Sequence, residues 1–135
     1  MPDRDPTRDD LDIQRVLHDY AWSCDDGDWA LLSTVFTPDA HLDYTSTGGP
    51  AGGRDEVCAW LEASLTQVAM IQHVVTNFRV DVVGDTATGR AMFLAIFRLP
   101  GQEGVMQTGG YYELEFRRAD GWKIHRLSED NRWRA

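Results

Sequence analysis

The chain has 135 residues, 42% of them apolar, and a formal net charge of −9. That length suits one domain with a substantial core, while the acidity argues against nucleic acid and anionic membrane surfaces as partners. No uninterrupted apolar run approaches the roughly 18 residues needed to span a bilayer as a helix, so no membrane association is expected.

The opening "MPDRDPTRDD" is polar and charged, and reads as a flexible leader over residues 1–9 rather than a signal peptide or anchor. Ile13, Val16, Leu17, Tyr20, Ala21 and Cys24 then recur at helical spacing and predict a first helix. Thr7, with Asp10 three residues on, is its expected cap, and Gly27 its expected stop. Asp28 is placed to cap a second helix, "WALLSTVF", which Pro38 should end. "HLDYT" reads as a short strand and "STGGPAGG" as a loop. Val57, Trp60, Leu61, Ser64, Leu65 and Val68 predict a third helix. From Met70 the texture changes to long strands. "IQHVVTNFRVDVV" and "TATGRAMFLAIFRL" meet across Gly84 and Asp85, and "VMQTGGYYELEFRR" turns through "ADG" into "WKIHRLS".

Three helices followed by long antiparallel strands predict an α+β domain over residues 10–131, with a tail at 132–135. The helices would pack on one strongly curved, mostly antiparallel sheet, an arrangement able to enclose a conical pocket. Cys24 and Cys58 are too few for a disulfide framework and fit reduced thiols in a cytoplasmic protein. His18, His41 and His125 lack ligand-like spacing, so no metal is expected. Gly48, Gly49, Gly52 and Gly53 do not open a helix after a strand, and no nucleotide motif is present.

One residue breaks the pattern. The inward face of "MIQHVVTNF" reads Ile71, His73, Val75, Asn77, and a buried imidazole without a partner costs roughly 1–3 kcal/mol. His73 must be satisfied inside the fold or face a cavity.

The phrases "DDGDWALLSTVFTPDAHLDY", "QHVVTNF" and "GYYELEFRRADGWKI", with this order of elements, resemble the SnoaL-like branch of the nuclear transport factor 2-like superfamily from about Leu11 to about Asn131. The set Tyr20, Asp25, Tyr44 and His73 is similar to the active sites of scytalone dehydratase and bile-acid 7α-dehydratase. Hexachlorocyclohexane dehydrochlorinase is similar in its Asp/His dyad. The resemblance implies that Asp25 orients His73, that His73 removes a proton, and that Tyr20 and Tyr44 match the two tyrosines of the dehydratases. The chain departs from that pattern in "FLAIF", where an isoleucine stands near the place of a further His or Asp.

The chemistry of these residue types agrees. An imidazole can accept a proton at neutral pH, and a carboxylate on its other nitrogen fixes the tautomer and stabilises the imidazolium. Asp28 is accounted for as a cap and Asp26 as a solvated turn residue, which leaves Asp25 without a local role. A structural alternative stands beside this one, in which His73 only bonds a carboxylate at a helix end. Tyr20 and Tyr44 could donate to a substrate oxygen or could be core residues. Phe36, Trp60, Val75, Phe93 and Phe97, with Val35 and Leu61, would line an apolar pocket. Asn77 could bond substrate, and Tyr111 and Arg117 could reach the pocket mouth.

The resulting expectation is a cofactor-independent, dehydratase-type lyase acting on a small apolar cyclic compound, such as a polyketide, steroid or aromatic. The alternatives are isomerisation by the same dyad and a non-catalytic binding or dimeric interaction protein. A homodimer or homotrimer is expected.

Overall fold

A computed structural model describes residues 5–135. Helix α1 spans Pro6–Asp26, α2 Trp29–Thr34 and α3 Arg54–Leu65. The strands are β1 Phe36–Asp43, β2 Ala51–Gly53, β3 Met70–Val83, β4 Thr86–Arg98, β5 Met106–Arg118 and β6 Trp122–Arg134. They form one sheet in the order β2-β1-β6-β5-β4-β3. The β1–β6 pair is parallel and the other pairs are antiparallel. The three helices pack on this mixed sheet, which curls without closing on itself.

Part of the expected leader, residues 1–4, lies outside the described residues. From Pro6 the chain is helical, and its cap is Asp5, which accepts a hydrogen bond from the Thr7 N–H at 3.0 Å. Thr7 is therefore inside the helix, because proline suits a first helical position, where its missing N–H costs nothing. The inward stripe is Ile13, Leu17, Tyr20 and Cys24, all buried. Gly27 closes the helix at φ 68°, the left-handed region that a side chain would resist. Near its start, the buried Asp9 accepts from Arg118 Nη2 at 2.9 Å and from Trp122 Nε1 at 3.1 Å, tying α1 to the β5–β6 hairpin.

Asp28 caps α2 through the Leu31 N–H at 3.1 Å. That helix ends at Thr34, before Pro38. Pro38 instead sits in β1, where the parallel register to β6 jumps between Phe36 and His41. A residue without an N–H is tolerated at such an interruption of the ladder. Val68 likewise falls beyond α3.

Sheet curvature comes from irregularities in the ladders. The β3–β4 register shifts between Thr76 and Arg79, with Asn77 at φ 55°. The β5–β6 register shifts twice, between Gly109 and Gly110 and between Glu115 and Phe116. A Cβ on Gly110 would lie 2.0 Å from the Asp130 carbonyl oxygen, so only glycine lets β6 approach there. The concave face carries Phe93, Tyr112, Leu114, Phe116, Ile124 and Leu127, all buried with the helical stripe. Each such side chain contributes roughly 1.5–3 kcal/mol of burial free energy. β6 continues through the expected tail as far as Arg134.

Candidate active site

Asp25 lies in the last turn of α1, a turn with no basic residue. A carboxylate is disfavoured there by the helix dipole, by about 0.3–1 kcal/mol. Its compensation is His73 on β3. Asp25 Oδ1 lies 2.5 Å from His73 Nδ1, and Oδ2 accepts the His73 backbone N–H at 2.8 Å. Side-chain exposures of 10% for His73 and 17% for Asp25 keep most water away from the pair. Because an ionised carboxylate only accepts, Nδ1 carries a proton toward it, and in the neutral form of the ring Nε2 then holds the lone pair.

His73 lines a hollow of ≈ 210 Å³ between the helices and the concave sheet. Asp25 is not among its lining residues, so the carboxylate grips the imidazole from behind. α3 and the segment after it supply Trp60, Leu61, Ser64, Leu65 and Val68, while β4 supplies Phe93, Ala95 and Phe97. The isoleucine of "FLAIF", Ile96, alternates to the other face, and it is Ala95 that stands opposite His73 in the ladder.

Tyr20 and Tyr44 meet at this hollow, their hydroxyls hydrogen-bonded to each other. Tyr20 reaches it from the inward stripe of α1, and Tyr44 from the residue that follows β1. Both rings are fully packed, Tyr20 edge-on to Phe36 and Tyr112, and Tyr44 tilted against Trp60. Burial pushes both phenols well above their ordinary pKa, so they remain protonated donors. The Tyr112 hydroxyl is buried close to Tyr20 but has no well-formed hydrogen bond among the described residues.

Several sequence-predicted residues are not brought here. Asn77 is exposed on the outer surface, because the bulge around it exchanges the faces of β3 and turns Phe78, Val80 and Val82 inward. It shares a depression on that outer face with Arg79, Arg90 and Tyr111. Tyr111 also lies outside, between the guanidinium groups of Arg90 at 4.3 Å and Arg132 at 5.3 Å, while its neighbour Tyr112 takes the inward position. Arg117 is an outward residue facing Asp39 at 3.9 Å. Phe36 packs behind Tyr20 rather than on the hollow, Val35 is core, and Val75 faces the groove between α1 and β3. Among the described residues, no three His, Cys, Asp or Glu side chains converge as a metal site would require. No described helix is long and apolar enough to cross a membrane.

Sequence reasoning missed Glu129, Thr47 and Thr108, which give the hollow its remaining polar lining. Glu129 follows Leu127 with strand period 2 on the buried face of β6, a signal lost by ending the strand at Ser128. Burial pushes its carboxyl up from 4.5 to about 7, against the opposing pull of Thr47, His73 and Arg134.

Residues 5–128 match the SnoaL-like domain. The chain belongs to the SnoaL-like domain family. Uncharacterised relatives in Mycobacterium tuberculosis and Mycobacterium bovis are 37% identical to this SnoaL-like chain over 123 residues, covering 90% of it and 84% of each relative. A Novosphingobium aromaticivorans protein provisionally named a scytalone dehydratase superposes with a TM-score of 0.85 at 26% identity, covering 96% of this chain and 90% of that one. Another from the same organism, provisionally named an aromatic ring hydroxylase, gives 0.87 at 28% identity, covering 98% and 95%. A hexachlorocyclohexane dehydrochlorinase gives 0.80 at 22% identity, covering 93% and 91%, a likeness of fold alone. Names this diverse on one scaffold mean that the reaction must be argued from the site.

Proposed function

We propose that this SnoaL-like protein is a cofactor-independent lyase that eliminates water from a small cyclic hydroxyketone. The observation carrying this reading is the His73 imidazole, bonded to Asp25 at Nδ1 and lining an apolar hollow. His73 Nε2 takes the proton from the carbon beside the carbonyl, and Asp25 stabilises the imidazolium that forms. A positioned base of this kind is worth about 10²- to 10⁴-fold in rate. Of the two phenols, one spends its proton on the other and the second donates to the carbonyl oxygen as it becomes an enolate. The electron pair left on carbon then forms the double bond and expels the hydroxyl.

Hollow volume narrows the substrate. Ligand pockets commonly measure roughly 300–1,000 Å³, so ≈ 210 Å³ favours a single ring over a steroid. The free thiols Cys24 and Cys58 support a reducing, cytoplasmic setting. Outward-facing Val74 and Met92 support assembly into a homodimer or homotrimer.

The test is turnover of 3-hydroxycyclohexanone to cyclohexenone, followed by ultraviolet absorbance. The parent protein should accelerate it well above buffer, and His73→Ala should not. A parent rate equal to buffer across a panel of such single-ring β-hydroxyketones would contradict the reading.

A further inference from the structure

Elimination of water needs an acid as well as a base, and the dyad supplies only the base. Hydroxide is a poor leaving group, so the departing oxygen must receive a proton as its bond to carbon breaks. The two phenols are bonded to each other and assigned to the carbonyl side. We propose that Glu129 is the acid that protonates the leaving hydroxyl. The proposal rests on the lyase reading above and adds a further catalytic residue to it.

Placement carries the argument. Glu129 projects from β6 into the same hollow that His73 enters from β3, and the two interact electrostatically across it. In register it stands opposite Tyr112 on β5, on the inward face of the sheet. The ladder position opposite His73, where a further acid or base on β4 could stand, is Ala95. Glu129 therefore holds the only carboxyl among the residues lining the hollow.

Its surroundings favour the form that can donate. Burial is the leading influence on its titration. The Thr47 hydroxyl donates to the Tyr44 carbonyl at 2.9 Å, and its contact with Glu129 works against burial by favouring the carboxylate, as His73 and Arg134 do. The other groups facing Glu129 are His73 from β3, Tyr20 and Cys24 from α1, Tyr44 after β1, Tyr112 from β5, and Arg134 on its own strand. β4 and α3 contribute only Phe93, Ala95, Phe97, Trp60, Leu61, Ser64 and Leu65 to the lining, none of which titrates there.

The step balances without a further reactant. His73 gains the proton from carbon, the C–H pair becomes the C=C bond, and the C–O bond breaks. The leaving oxygen takes the Glu129 proton and departs as water. An imidazolium and a carboxylate remain in one hollow, and transfer of the proton from His73 to Glu129 resets both.

The test compares two leaving groups on one ring, in 3-hydroxycyclohexanone and 3-chlorocyclohexanone. Chloride leaves without protonation and adds little bulk. Glu129→Gln should slow release of water about 100-fold or more while changing release of chloride by less than about threefold. In the parent protein, turnover of the hydroxy compound should fall above about pH 7, and turnover of the chloro compound should not. Equal losses with both compounds, or no loss with either, would overturn the assignment, and the parent pH comparison decides it if the Gln variant does not fold. If His73→Ala spares turnover of both compounds, or the parent accelerates neither, the lyase reading fails and the acid assignment fails with it.

Discussion

Asp25 holds His73 at two points, one carboxylate oxygen on the imidazole Nδ1 and the other on the backbone N–H of the same residue. The two residues are 48 apart in sequence. A single bond to the ring would leave the carboxylate free to swing. The second bond fixes it to the strand that carries the ring, so α1, β3 and the imidazole are set together. Rigid support of this kind is what a base needs to meet a carbon-bound proton at the correct angle.

His73→Ala is expected to abolish elimination, a loss of about 10²- to 10⁴-fold, with the melting temperature within a few degrees of the parent. The Asp25 carboxylate keeps its bond to the backbone N–H in that variant and stays partly open to water. Thermal unfolding followed by circular dichroism checks the second half, and a collapse in stability would show that His73 is structural.

Asp25→Asn is expected to lower turnover by about 10²- to 10⁴-fold and to change its pH profile, since the imidazolium loses its counter-charge. The amide has one acceptor oxygen for two N–H donors, so it cannot reproduce both bonds. A pH–rate profile that superimposes on the parent's would remove Asp25 from the mechanism.

The tyrosines separate by stability. Tyr112→Phe removes a buried hydroxyl that lacks a well-formed partner, and should be neutral or stabilising by up to about 1 kcal/mol. Tyr44→Phe removes the hydroxyl bonded to that of buried Tyr20 and should cost about 1–3 kcal/mol. Urea unfolding of both variants reads the difference, and equal effects would contradict the pairing.

Glu129 makes stability depend on pH. Its carboxyl titrates near 4.5 when unfolded and near 7 when folded, so the folded state binds the extra proton between those values. Stability from this group is fully present below about pH 4.5 and is lost as pH rises to about 7, on the order of 3 kcal/mol in all. Glu129→Gln should therefore gain on the parent as pH is raised from 4.5 to 8, as measured by denaturant midpoints. A difference between the two proteins that does not change with pH would contradict the burial of the carboxyl.

How legible this was depended on periodicity. The α1 stripe ending at Gly27, the Asp28 cap and the inward His73 follow from spacing, because each lies in an unbroken run of 3.6 or 2. Asn77 lies where that run breaks: the bulge moves the inward apolar positions from Ile71 and Val75 to Phe78, Val80 and Val82, so continuing the period from His73 puts Asn77 on the wrong face. Tyr111 and Tyr112 are adjacent, so one must point out, and Arg90 and Arg132 hold Tyr111 there. The Glu129 position needed β6 to run past Ser128, through "EDNRWR", a segment too polar to read as strand. The Thr7 cap failed for a local reason, proline at the first helical position.

Exchange of hydrogen for deuterium at carbon tests the central claim most directly, because it requires only the base and no leaving group. Cyclohexanone incubated with the protein in deuterated buffer and followed by proton NMR should lose its α-hydrogens well above the buffer rate. His73→Ala should return that rate to background. Exchange that is no faster than buffer with the parent, or equally fast with His73→Ala, would contradict the account.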